Sequence, residues 1–221
     1  MKKILIIWFA SLLVAACNKN LIQEPIQGNG NVVSRNELTG HYNQIGVRGP
    51  FDVEIIHGNT GEITVTADEN LFEYFDIYVK SNKLIIGIND NYRLTGFNTL
   101  KIKVPITNPK SLSIAGSGKI TGHAVQTDDI KLSVAGSGVI NLAGQTNKLD
   151  INIAGSGNIN TSDLIARHID VNIAGSGITS VYPLQGLDIK MVGSGLVNYY
   201  HKPEKITIKK VGSGKVIYMS Q

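Results

Sequence analysis

The sequence predicts an all-β chain. Its C-terminal half reads as a parallel β-helix (β-solenoid) with coils of about 19 residues, and an N-terminal β subdomain is stacked on it. Three observations carry this reading. A Gly-Ser-Gly triplet recurs six times, its first glycine at Gly116, Gly136, Gly155, Gly175, Gly193 and Gly212, at intervals of 20, 19, 20, 18 and 19 residues. Apolar and polar residues alternate on both sides of every triplet, the period of a half-buried strand. No stripe of helical period competes anywhere from 111 to 218.

The chain opens "MKKILIIWFASLLVAACNKN". Lys2 and Lys3 precede an apolar run, Ile4 to Val14, that is too short to span a bilayer, which takes roughly 20 residues. Small residues and the only cysteine, Cys17, follow. This is the anatomy of an export signal, and "VAAC" resembles the lipobox of bacterial lipoproteins. Residues 1–16 are therefore expected to be a signal peptide and Cys17 the lipidation site. Each buried acyl CH2 contributes about 0.8 kcal/mol to such an anchor. Residues 17–30, polar with one Pro and two Gly, read as a lipid-anchored tether. Without a second cysteine the chain has no disulfide within itself and no cysteine-based zinc site.

Residues 31–109 form the expected N-terminal β subdomain. "FDVEIIHG", "EITVTAD", "FDIYVK", "KLIIGI" and "LKIKVPI" read as strands, and "HGNTGE" and "KSNK" as turns. "DENLFEY" predicts a helical turn capped by Asp68 or Asn70.

Residues 110–221 carry the repeats. Four positions before the first glycine stand Leu112, Leu132, Ile151, Val171, Ile189 and Ile208; four after it stand Ile120, Ile140, Ile159, Thr179, Val197 and Val216. Each repeat is thus strand, triplet, strand and a polar connector such as "AGQTNK" or "TSDLIARH". One repeat cannot enclose a core, but a stack can. At about 4.8 Å per coil, six coils make a rod on the order of 25–30 Å long. A run of hairpins with the triplets at their tips is the alternative. In the solenoid the triplet glycines, Gly116, Gly118, Gly136, Gly138, Gly155, Gly157, Gly175, Gly177, Gly193, Gly195, Gly212 and Gly214, are structural turns. Their serines stack as a hydroxyl ladder. Lys210 takes an inward slot in the last repeat, where a long side chain can reach water and blunt an open edge.

Other chemistry fits poorly. "GSGKIT" lacks the Lys-Ser/Thr pair and the following helix of a phosphate loop, and no triplet contains the Asp of calcium-binding turns. Without the export signal 19 basic residues face 17 acidic ones, a balance of +2 with no footprint for nucleic acid. The chain calls for no cofactor and no metal. Arg167 and His168, near Asp163 and Asp170, read as soluble connector. His41, His57, His123 and His201 lack ligand spacing. Tyr199 and Tyr218 read as core or end cap. The candidate binding surface is the pair of outward columns Asp150, Asp170, Asp188 and Asn152, Asn172. Repulsion among the three carboxylates is expected to be screened by salt on a solvated face, or relieved by Lys131 and Lys190 or by a divalent cation.

The lipobox, "VRGPFDVEIIHGNTGEITVTADENLF", "KLIIGI" and the serial "AGSG" together resemble the putative auto-transporter adhesin, head GIN domain family, common among exported proteins of Bacteroidetes. The resemblance spans nearly all of the chain after Cys17. It implies a β-helical fold and brings no catalytic residues. The expected function is that of a non-enzymatic, lipid-anchored envelope protein, adhesin-like in binding or display. It is held at the outer membrane, on the periplasmic face or the cell surface, and its partner is a glycan or a surface protein. A polysaccharide-active β-helix enzyme and a structural envelope component are the alternatives.

Overall fold

The computed structural model describes residues 24–220. The strands are β1 (Glu24–Gln27), β2 (Val32–Leu38), β3 (Gln44–Arg48), β4 (Asp52–Ile56), β5 (Glu62–Asp68), β6 (Phe75–Lys80), β7 (Lys83–Ile88), β8 (Tyr92–Thr95), β9 (Leu100–Pro105), β10 (Ser111–Gly116), β11 (Lys119–Gly136), β12 (Val139–Gly155), β13 (Asn158–Gly175), β14 (Ile178–Gly193), β15 (Leu196–Tyr199), β16 (Lys205–Val211) and β17 (Lys215–Tyr218). A short 3-10 turn, Glu69–Tyr74, separates β5 from β6.

The repeats stack as a solenoid. Segments leading into the triplets pair parallel and in register, Leu112 beside Leu132, then Ile151, Val171, Ile189 and Ile208. Segments leaving them do the same, from Ile120 through Ile140, Ile159, Thr179 and Val197 to Val216. Parallel pairing excludes the hairpin alternative, in which neighbours run antiparallel. These two walls enclose the core: Leu112, Ile120, Leu132, Ile140, Ile151 and Ile159 are fully buried. Thr179 replaces an aliphatic residue in the second wall, and its hydroxyl donates to the carbonyl of Ile159 at 2.8 Å. That bond satisfies a group that would otherwise be costly to bury.

The connectors differ from expectation. They are strand, so β11 to β14 run unbroken for 16 to 18 residues and build a third wall. Polar composition suggested a loop, but only one residue in two along such a strand needs to be apolar. Register shifts at the two corners of the third wall absorb the uneven intervals. Three steps from Gly122 to Val125 stand opposite two from Leu142 to Gly144, which takes up the extra residue of the first coil.

The N-terminal half continues the same walls. β3, Gly49, Pro50, Phe51 and β4 form a coil of their own, pairing with β10 and β11. Gly49 has a φ of +104°, and its N–H donates to Ala115 at 3.2 Å. β7 and β9 add a further coil on β3 and β4. β6, β5 and β2 then close that end with antiparallel pairs. The 3-10 turn lies where a helical turn was expected and buries Leu71. Neither expected cap forms. The buried carboxylate of Asp68 accepts instead from the backbone and the side chain of Asn98, at 2.9 and 3.1 Å, and the Asn70 amide donates to the carbonyl of Gln27.

Two further expectations change. Within the tether expected over 17–30, Glu24–Gln27 form strand β1, paired parallel with β8. Cys17 and the expected signal peptide lie outside the described residues. At the far end β16 and β17 each pair on one side only, so Ile206 and Ile208 remain 40% and 45% exposed where their counterparts Leu187 and Ile189 are buried.

Candidate functional site

The triplets are corners, and their two glycines work differently. At Gly155 φ is +119°, in the left-handed region that glycine tolerates. A Cβ there would lie 2.7 Å from the carbonyl oxygen of Gly136. Gly157 lies outside that region but is buried, and a Cβ would strike the Val134 side chain and sit 3.0 Å from the Gly138 carbonyl. The serines between them are exposed. The hydroxyl ladder expected of them is corrected: Ser194 and Ser213 bond at 3.0 Å, and among the described residues no other pair of triplet serines does. The side chains point to water, and the backbone holds the stack. The Ser156 N–H donates to Gly136, and the Ser176 N–H to Gly155, both at 2.9 Å.

The outer face of the first wall carries a recess that the polar columns help to build. Its volume is about 680 Å³. Ala115, Ala135, Ala154 and Ala174 form an exposed floor. Ser113, Ser133, Asn152 and Asn172 stand beside it as a half-buried polar rail. The Asn172 amide donates to the Asn152 oxygen at 3.3 Å. Arg48 and Lys83 line one end of the trough and Lys190 lines the other.

Asn152 and Asn172 are outward neighbours, in register on adjacent coils. The alanine floor was missed, although its signal is plain: the residue before every first glycine of the first four triplets is alanine. Arg48 and Lys83 were missed because the N-terminal half was not read as coils.

Asp150, Asp170 and Asp188 stand in one row across three coils. The cation that meets them is Lys148, at 3.4 Å from Asp150 and 3.6 Å from Asp170. Lys131 and Lys190 do not fill that role among the described residues. Lys131 stands in the row itself, directly beside Asp150, whereas Lys148 reaches both carboxylates from two positions along its own strand. The Asp150 charge, then its hydrogen bond, then Asp170 hold the Lys148 ammonium above the usual lysine range. Arg167 and His168 form no ion pair with Asp163 or Asp170 among the described residues. Near the open end Tyr199 packs against Tyr218 with ring centroids 5.3 Å apart, and the Lys202 ammonium lies 5.0 Å over the Tyr218 ring.

The model of one protein family, described as "Putative auto-transporter adhesin, head GIN domain", matches residues 41–203. No curated protein matches the chain. Solved structures do. A putative lipid binding protein from Parabacteroides distasonis ATCC 8503 is 29% identical, with a TM-score of 0.58, over 89% of this chain and 100% of that one. A putative adhesin from Bacteroides fragilis NCTC 9343 is 16% identical, with a TM-score of 0.69, over 88% and 100%. A putative adhesin from Parabacteroides merdae ATCC 43184 is 21% identical, with a TM-score of 0.53, over 89% and 99%. The last two show likeness of fold.

Proposed function

Because the chain belongs to the putative auto-transporter adhesin, head GIN domain family, we propose that it is a non-enzymatic, adhesin-like binding protein of the cell envelope, anchored by lipid on Cys17 and displaying the outer face of its first wall. One observation carries the reading. An open trough crosses the coils with a flat alanine floor and a rail of hydroxyl and amide groups. Its lining repeats with the coils, which suits an extended partner, a glycan or a strand of a surface protein, lying across the strands. Hydrogen bonds from the rail give orientation, and the floor supplies apolar contact.

On this reading the lipid-anchored chain sits at the outer membrane, on the periplasmic face or the cell surface. Radiolabelled palmitate tests the anchor: label on the wild type and none on Cys17→Ala is expected, and label retained by the variant overturns it. An array of microbial and host glycans and surface proteins, read together with a product assay, tests the rest. Binding that Ala154→Arg abolishes, with no new reducing ends or unsaturated products, supports the reading. Product formation would instead favour the polysaccharide-active enzyme.

A further inference from the structure

The third wall carries a second recess, of about 630 Å³, whose lining is polar where the trough is apolar. It owes its shape to the strand character of the connectors. Thr127, Thr146 and Ala166 follow one another in register and face inward, Thr146 and Ala166 being buried. The residues on either side of them therefore face out, as alternation along a strand requires. Gln126 and Gln145 make one rim, continued by Ile165. Asp128 and Asn147 make the other, continued by Arg167, and all six are exposed.

The second rim is fixed from within. The Asn147 amide donates to the Asp128 carboxylate at 3.1 Å. The Thr146 hydroxyl donates to the backbone carbonyls of Asp128 and Lys148, and the Thr127 hydroxyl to Asn108. The other groups are uncommitted. Among the described residues the side chains of Gln126, Gln145 and Arg167 make no hydrogen bond or ion pair.

We infer that this cleft binds an oligosaccharide, with an acidic sugar at its Arg167 end. Each glutamine amide offers a donor and an acceptor together, which matches the hydroxyl pair of a pyranose ring. The two amides stand one coil apart, about 4.8 Å, close to the length of one ring. Ile165, 37% exposed, gives a ring face apolar surface to lie on. Arg167 supplies a planar, permanently charged fork for a carboxylate, while the Asp128 charge at the opposite end is already engaged by Asn147. The inference rests on the adhesin reading and gives the third wall a sugar site of its own, separate from the trough.

Titration of the full-length protein with a galacturonate tetramer and with cellotetraose tests it, together with mapping of the contacts by NMR shifts. Both should bind, the acidic tetramer about tenfold more tightly, the contribution of one charge-assisted contact. Arg167→Ala should erase that preference. The Gln126→Ala/Gln145→Ala pair should weaken both ligands about tenfold. Shifts in the unaltered protein should cluster on 126–128, 145–147 and 165–167, a readout independent of how the variants fold. No binding of either sugar overturns the inference. So does binding that maps to the alanine trough and is lost with Ala154→Arg alone, a result that leaves the adhesin reading standing.

Discussion

The backbone N–H of Ser156 donates to the carbonyl of Gly136 at 2.9 Å, and the bond exists because Gly155 turns the chain with φ at +119°. Gly155→Val is expected to cost about 2–4 kcal/mol, combining left-handed strain with a side chain driven at the Gly136 carbonyl. Chemical denaturation measures it, and an unchanged midpoint would count against the corner mechanism. Gly61→Ala is the control: its φ is +134°, yet a Cβ there meets nothing within 4 Å, so it reports strain without collision.

Gly157→Ala separates the second role. Its φ is not left-handed, and the added methyl collides with Val134 and with the neighbouring coil. Overpacking of this kind costs about 1–3 kcal/mol. The smaller variant Val134→Ala should relieve part of that loss when combined with it, which a double-mutant cycle would read.

Lys148 holds two carboxylates that stand side by side. Lys148→Glu should lower the melting temperature at low salt, and added salt should recover most of the loss, because exposed charges are screened within a Debye length of about 10 Å at 0.1 M. A loss independent of ionic strength would argue against a charge effect.

Tyr42 is buried at 5% exposure, and its hydroxyl donates to the Pro105 carbonyl at 2.9 Å. Burial pushes its pKa up to about 12 from 10.0. The folded state therefore holds this proton more tightly than the unfolded chain. The associated stability is complete below about pH 10 and is lost as pH rises through about 12. Tyr42→Phe should cost about 1 kcal/mol at neutral pH, the hydrogen bond, and should flatten the alkaline limb of the stability curve. An alkaline limb as steep as the wild type's would sink this assignment.

Lys210 stands beside the buried Met191 at the open end, and its ammonium donates to the Gly214 carbonyl at 3.0 Å. Lys210→Ile should expose an apolar edge there and promote association, visible by sedimentation. A monodisperse monomer of unchanged stability would show that the lysine is not protecting the edge.

The repeats were legible because their chemistry is periodic: Leu112, Leu132 and Ile151 announce an inward column, and the positive φ of Gly116 or Gly175 is what a recurrent glycine commonly means. The connectors misled because Thr146 and Thr161 are polar yet face inward, satisfied by carbonyls that only the stacked fold supplies. The first coil was hidden for a related reason. Gly49-Pro50-Phe51 makes the same corner as Gly-Ser-Gly with a different spelling, and its neighbours lie some 40 and 70 residues along the chain. Of the binding surface, the Asn152–Asn172 rail could be read from spacing. The Gln126–Gln145 rim could not, since it depended on recognising the connector as strand.

The placement of β3 and β4 has a consequence for synthesis. Both neighbours of this coil, β7 with β9 on one side and β10 with β11 on the other, are made after it. During vectorial synthesis or export it emerges before either of its neighbours and must wait for both. Its two edges must stay available until the chain has travelled out to the closed end and come back. Strands with open edges invite foreign pairing, so the chain between Ile56 and Ser111 is the interval in which this molecule is most in need of a chaperone.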